Sequence, residues 1–275
     1  MTHPTALTIA GSDSGGGAGI QADLKAFEAH GVFGMSVLTA ITAQSTREVT
    51  RAFDLPVDLI AAQLDAVVED LPIGAVKTGM LSSAAIIETV ADGITRHELA
   101  PVVVDPVMVT TSGFSLLAPD AVEAVRTRML PLADLATPNT HEAAALAGFE
   151  VRTLDDARRA ARAILEMGPR AVLVKGGHLE SESDAVDLLL DADGERLYRA
   201  ERLDTTSTHG TGCTYASSIA ANLARGFELR EAIARARAYL QEAIRHGLDI
   251  GAGNGPTKHF WFLTGDEAAS AASSS

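Results

Sequence analysis

A single cysteine in 275 residues leaves this chain without the disulfides that staple small secreted domains, and aromatics are scarce as well, with one tryptophan and three tyrosines. With Cys213 alone there is no internal disulfide, and the cytoplasm is the expected compartment. Long apolar runs are missing as well. The nearest, Pro101 to Val109, is interrupted by Asp105 and falls far short of the roughly 20 residues that span a bilayer. The N-terminus lacks the basic, then apolar, then small-residue order of a secretory signal. Positive charge is scarce: 22 Lys and Arg stand against 36 Asp and Glu, a formal net charge of −14. Such a field repels nucleic acid and anionic membrane, so a phosphorylated ligand must be captured by local donors or a metal. No Pro- or Ser-rich linker divides the chain, and residues 1–265 are expected to form one domain with 266–275 as a frayed tail.

What the chain does contain is alternation. Short β-branched runs exchange with longer stretches of helical period, the pattern of an α/β fold with a central, mostly parallel sheet and helices on both faces. Strands are expected at Ala6–Ala10, Val37–Ala43, Gly74–Lys77, Val102–Asp105, Leu135–Thr137 and Ala171–Lys175. A hairpin over Ala185–Leu190 and Arg196–Ala200 turns at Asp193-Gly194. Helices are expected from Ile20 to Gly31, from Pro56 through Val68, and over Ala84–Arg96, Asp120–Met129, Asp155–Met167, Thr211–Ala224 and Arg230–Gly247. Ligands collect beyond the carboxyl ends of such strands, which directs attention to Gly11–Asp13, Gln44, Lys77–Met80, Asp105–Val107, Asn139–Glu142 and Lys175–His178.

Thr208-His209-Gly210-Thr211-Gly212-Cys213 is the most informative segment. A glycine-rich turn that opens a helix aims backbone N–H groups at one spot, and the helix dipole adds positive potential there, a geometry suited to a phosphate in transfer. Cys213 sits in that field, which is expected to lower its pKa. A second glycine-rich loop, Gly11 to Gly19, fits neither the P-loop ending nor the dinucleotide spacing, and competes with the first for the phosphate. Asp23, one helical turn beyond it, is read either as a hydrogen-bond acceptor for a neutral ligand or as a first-turn carboxylate facing the dipole. Asp105 and Glu142 follow adjacent strands and suit Mg²⁺ held through its waters beside nucleotide phosphates. Asn139 and Glu142 also have the spacing of a capping box, and both roles are compatible.

Taken in order, Gly11-Ser-Asp-Ser-Gly-Gly-Gly-Ala-Gly-Ile-Gln-Ala-Asp23, Lys77-Thr-Gly-Met80-Leu, Asp105-Pro-Val-Met-Val, Thr137-Pro-Asn139, Lys175-Gly-Gly-His178, Thr208-His-Gly-Thr-Gly-Cys213 and Gly255-Pro-Thr-Lys-His-Phe-Trp261 resemble the hydroxymethylpyrimidine/phosphomethylpyrimidine kinases of thiamine biosynthesis. The resemblance spans residues 5 to 262. It implies a ribokinase-like fold, a homodimer, and ATP with Mg²⁺ as phosphoryl donor, a monovalent cation being a further candidate. The substrates it implies are 4-amino-5-hydroxymethyl-2-methylpyrimidine and then its monophosphate. By the same resemblance, Gln44 reads the pyrimidine edge with Asp23, Gly11, Met80, Val107 and His209 around it. Asp105, Asn139, Glu142 and Lys175 hold metal and triphosphate, Asp105 and Glu142 being the metal ligands. Gly210, Thr211, Gly212 and Cys213 form the anion hole, with Cys213 where sugar kinases of the superfamily carry an Asp base. Many relatives have a lysine in the loop where this chain reads Thr110-Thr111-Ser112-Gly113. A pyridoxal kinase on the same scaffold is the second reading. A nucleotide-binding regulator without turnover is the third; it would be expected to lose Cys213, a loop glycine or the carboxylate pair, and all are present.

Overall fold

Three consecutive valines, Val102 to Val104, show how the sheet is covered. Successive side chains of a strand point to opposite faces, and Val102 and Val104 enter one hydrophobic core while Val103 enters the other. A strand apolar on both faces belongs at the centre of a sheet clad by helices on both sides. The structure, a computed structural model, describes residues 3–108, 120–177, 179–180 and 182–263. The loop Thr110–Gly113, His178 and the expected tail 266–275 lie outside them.

In chain order the elements are β1 (Thr5–Asp13), α1 (Gly19–Ala29), β2 (Phe33–Gln44), β3 (Val49–Asp54), α2 (Val57–Val68), β4 (Val76–Thr78), α3 (Ala84–Arg96), β5 (Val102–Val104), α4 (Ala121–Ala124), β6 (Leu135–Ala136), α5 (Thr140–Ala147), α6 (Leu154–Leu165), β7 (Val172–Val174), β8 (Ala185–Asp191), β9 (Gly194–Ala200), α7 (Thr211–Ala224) and α8 (Leu229–Arg245). The sheet order is β3-β2-β1-β4-β5-β6-β7-β8-β9. The six strands from β2 to β7 run parallel, and β3, β8 and β9 are antiparallel additions at the two edges. One core packs Leu7, Ile9, Val76 and Val174 against residues of α2, α3 and α6 such as Leu64, Ile87 and Ile164. The other packs Ala6, Ala75, Leu173 and Leu189 against Phe27 of α1 and residues of α7 and α8 such as Ile219 and Ile233. Among the described residues no helix is long and apolar enough to cross a membrane.

Three local expectations need correction. The second strand reaches from Phe33 to Gln44, well beyond Val37–Ala43, and pairs with β3, which the sequence did not reveal. In Val49-Thr-Arg-Ala-Phe-Asp54 only Val49 is buried, so no alternation marks this edge strand. The helix expected over Asp120–Met129 keeps its regular form only to Ala124. A π-helical turn, Val125–Met129, and a 3₁₀ turn at Leu130–Leu132 follow, where Pro131 offers no backbone donor.

The chain leaves β1 toward one edge through β2 and β3, then returns to β4 on the other side of β1. Strand order reverses there, and a crevice opens above the carboxyl ends of β1 and β4. Directly beneath it lies a buried ion pair. Lys77 of β4 places Nζ 2.9 Å from both carboxylate oxygens of Asp23 on α1, and neither side chain has exposed surface. Thr8 of β1 and Ser217 of α7 each donate a hydroxyl to Asp23 at 2.6 Å. Two strands and two helices therefore meet on one carboxylate. Removing one partner of a buried pair leaves the other charge uncompensated, so Lys77→Met is expected to lower stability by about 3–5 kcal/mol. Equilibrium urea denaturation measures this, and an unchanged midpoint would contradict it.

Candidate active site

The two glycine-rich loops do not compete: they form one mouth. Gly210 caps α7 with φ of +80°, and a Cβ there would stand 1.8 Å from the carbonyl oxygen of Gly17. Only a glycine permits both that backbone region and that approach. No side chain caps the N-terminus of α7, and although the Thr211 amide donates to the Thr208 carbonyl at 3.3 Å, the amides of Gly212 and Cys213 keep their capacity for an anion. The mouth opens on a cavity of about 720 Å³ whose lining includes Gly11, Gln44, Met80 and Val107 on one side, Asp105, Asn139, Glu142 and Lys175 on another, and the whole turn Gly210, Thr211, Gly212 and Cys213. Of the fourteen site residues expected from sequence, thirteen, His209 among them, line this cavity.

The exception is Asp23. Its carboxylate lies under the floor, saturated by Lys77, Thr8 and Ser217, and does not line the cavity, so the direct substrate contact expected of it is not what the geometry provides. Lys77, to which no separate role was given, reaches the cavity in its place. Burial alone would drive this ammonium neutral, but Asp23 and the nearby Cys213 and Asp105 outweigh it and hold its pKa above the ordinary lysine value.

At the carboxyl ends of β5 and β7, Lys175 Nζ lies 2.7 Å from Asp105 Oδ1, and Thr137 donates to the same oxygen at 3.1 Å. Asn139 and Glu142 form a full capping box at the start of α5: Asn139 Oδ1 accepts from the Glu142 amide at 2.9 Å, and Glu142 Oε2 from the Asn139 amide at 2.7 Å. Burial pushes the Glu142 carboxyl up to about 7; Lys175 opposes the shift and Asp105 adds to it. Lys175 itself is disfavoured by burial, yet Asp105 and Glu142 hold its pKa above the ordinary value. Two carboxylates thus share one ammonium, and the incompletely compensated negative charge suits a divalent cation. Among the described residues no cluster of three or more His, Cys, Asp or Glu converges as a closed metal cage. A cation here would take most of its ligands from water and phosphate, the habit of Mg²⁺.

Cys213 behaves differently from expectation. Its thiol is pushed up to about 11 chiefly by burial, with Asp23 and Asp105 adding to the rise, while Lys77 and a hydrogen bond from the Gly19 amide pull the other way. The thiol thus lies above its ordinary value and not below it as the sequence suggested, because desolvation and two neighbouring carboxylates raise it. Gln44, at the end of β2, is fixed by the Thr42 hydroxyl, 3.1 Å from its side-chain amide, and by Ser14, which receives its backbone N–H at 2.8 Å. Met80 stands where Gly11 leaves room: a Cβ on Gly11 would come within 2.9 Å of its sulfur. His209 is committed elsewhere than to substrate, since Nε2 lies 2.9 Å from Asp13 Oδ2. Reading by motif also passed over Asp187, Tyr215 and Arg237, which line the same cavity. Their signal is a charge inside an apolar stretch: Asp187 within Ala185-Val-Asp-Leu-Leu, and Arg237 on the buried face of α8 beside Ile233, Ala236 and Leu240.

Comparison with known proteins bears on this assembly. The sequence pattern of the phosphomethylpyrimidine kinase family matches residues 13–258. The hydroxymethylpyrimidine/phosphomethylpyrimidine kinase of Streptomyces coelicolor is 54% identical over 263 residues, covering 96% of this chain and 97% of its own length. A crystal structure of phosphomethylpyrimidine kinase from Clostridium difficile superposes with a TM-score of 0.78 at 45% identity, over 87% of this chain and 99% of that one. The ADP complex of Bacillus subtilis pyridoxal kinase superposes with a TM-score of 0.89 at 40% identity, over 96% of this chain and 100% of that one. With the two glycine-rich loops closing one mouth above a parallel sheet, and a match that runs through nearly all of it, the chain belongs to the phosphomethylpyrimidine kinase family and has its ribokinase-like fold.

Proposed function

We propose that this cavity transfers the γ-phosphoryl group of ATP to the hydroxymethyl group of 4-amino-5-hydroxymethyl-2-methylpyrimidine, and a second one to the resulting monophosphate, in thiamine biosynthesis. One observation carries the reading. A single cavity joins an anion-gripping helix start carrying Cys213, a carboxylate–lysine cluster, and an amide with apolar neighbours, Gln44, Met80 and Val107. Gln44 offers both donor and acceptor, which matches the edge of an aminopyrimidine, and Met80 and Val107 supply apolar contact for its ring. Asp105 and Glu142 would hold Mg²⁺, which supplies screening of phosphate charge when bound. Asn139 and Lys175 face the same phosphates. The amides of Gly210 to Cys213 neutralise the migrating group, whose transition state is loose and responds mainly to positioning and electrostatics.

Within this reading Cys213 takes the acceptor hydroxyl's proton. At a pKa of about 11 roughly one thiol in a thousand is ionised at pH 8, and that fraction rises tenfold per pH unit until the pKa is passed. The first phosphorylation therefore accelerates from pH 7 to 9. The second does not, because its acceptor is a phosphate oxygen already ionised there. Parallel pH–rate profiles for the two acceptors check this, and equal slopes would contradict it. Cys213→Ala is expected to depress the first transfer by about 10²–10⁴-fold and the second far less; equal losses would remove Cys213 from the role.

The likeness to a pyridoxal kinase at TM-score 0.89 favours a second activity on pyridoxal, another flat nitrogen ring with a hydroxymethyl arm. A coupled ADP-release assay run in parallel with the pyrimidine, its monophosphate and pyridoxal separates the two readings, and turnover of neither pyrimidine would overturn the main one. A cytoplasmic homodimer completes the proposal. Ile41 and Phe53 face each other across β2 and β3 and are 48% and 61% exposed, an apolar pair suited to a second copy of this chain. Sedimentation equilibrium is expected to give a dimer that Phe53→Lys weakens.

A further inference from the structure

His209 is only 8% exposed and is held by two segments remote in sequence, the loop 13–18 and the stretch around Gly255 and Pro256. Its ring nitrogen Nε2 lies 2.9 Å from Asp13 Oδ2. Asp13 in turn gathers the first glycine-rich loop, accepting the amides of Gly15 at 2.7 Å, Gly17 at 3.1 Å and Ala18 at 2.8 Å. The imidazole lies so close to Gly17 that a Cβ there would fall 2.4 Å from His209 Cδ2. On its other side the His209 backbone N–H donates to the Gly255 carbonyl at 3.0 Å, and His209 bridges to Pro256. That contact brings in a strap, residues 247–257. The strap reaches back to the loop just after Gln44: the Gly253 amide donates to Thr46 Oγ1 at 3.2 Å and the Asn254 amide to the Thr46 carbonyl at 3.1 Å. The next residue after His209 is Gly210, where the anion-gripping turn begins.

The circuit is closed. From the Gln44–Thr46 wall it runs through the strap to His209, through Asp13 to the 13–18 loop, and back through Ser14, whose hydroxyl donates to the Gln44 carbonyl and accepts the Gln44 amide, both at 2.8 Å. The parts that face the acceptor ring and the parts that face the migrating phosphoryl group belong to different segments, and His209 is where they are joined.

We propose that His209 is a positioning residue, whose ring and backbone clamp the Asp13–Ala18 loop, the Gly210–Cys213 turn and the 247–257 strap into one mouth and thereby set the separation of acceptor and phosphoryl group. This rests on the kinase reading of the cavity. The acceptor still meets Gln44 and the nucleotide still meets Lys175 when the clamp is lost, so the defect falls on turnover and not on binding. A displacement of about 1 Å between reacting groups costs about 100-fold in rate.

The test is steady-state kinetics of the full chain with both pyrimidine acceptors. His209→Ala is expected to lower kcat by about 100-fold on both, with KM for acceptor and ATP nearly unchanged. Gly17→Ala, which keeps the hydrogen-bonding groups but pushes the ring aside, is expected to do the same. A glutamine amide nitrogen falls where Nε2 stands, whereas an asparagine amide falls short of it. His209→Gln is therefore expected to recover most of the turnover and His209→Asn is not, a contrast that decides the matter even if His209→Ala fails to fold. A His209→Ala kcat close to that of the unaltered chain, or equal activities for Gln and Asn, overturns the clamp alone. No turnover by the unaltered chain overturns the kinase reading and the clamp with it.

Discussion

A positive charge with no exposed surface forms part of the cavity floor, and the organisation above it depends on how that charge is kept. The Lys77 ammonium stays ionised because Asp23 faces it with both oxygens, and Asp23 is itself steadied by hydroxyls from Thr8 and Ser217. Those four residues come from β1, α1, β4 and α7, and three of these elements, β1, α1 and α7, flank the two glycine-rich loops. A pair this costly to desolvate has little tolerance for sliding. It fixes the depth at which α7 begins relative to the sheet, and so the height of the amides that would receive a phosphate. It also sets the electrostatics of Cys213, toward which Lys77 directs its charge while Asp23 and Asp105 oppose it.

The same economy governs the second charged group. Lys175 serves both Asp105 and Glu142, and the Glu142 carboxyl stays above its ordinary value because burial, with Asp105 adding to it, outweighs the help from Lys175. The acidic chain as a whole would repel phosphate. Locally, though, Lys77, Lys175 and the start of α7 bring positive potential to one side of one cavity, which is how a protein with a net charge of −14 can suit a polyphosphate ligand.

Much of this was legible in the sequence, for identifiable reasons. The β1 and β5 runs and the periods of α3 and α7 declare themselves because each buries a full face, and burial leaves a pattern. The residues expected at strand ends were brought to one cavity because a parallel sheet delivers all its carboxyl ends to the same side. What stayed hidden lacks such a pattern. β3 exposes five of its six residues, and the π-helical turn after α4 keeps an apolar rhythm that ordinary helix shares. Asp23 misled because a carboxylate near a glycine-rich loop reads the same in one dimension whether it points into the cavity or beneath it. Cys213 misled for a related reason: a helix N-terminus is visible in sequence, while the carboxylates that raise the thiol, Asp23 and Asp105, lie about 110 to 190 positions away.

The strap that crosses Thr46 and meets His209 carries a consequence for biogenesis. Every strand of the sheet is complete by Ala200, yet the wall beside Gln44 and the turn at Gly210 receive their outer support only from residues 247–257. During synthesis at the ribosome, a nascent chain can therefore acquire its scaffold well before it acquires a finished mouth, and an acceptor alcohol meets an ordered phosphoryl-transfer centre only once those late residues have emerged.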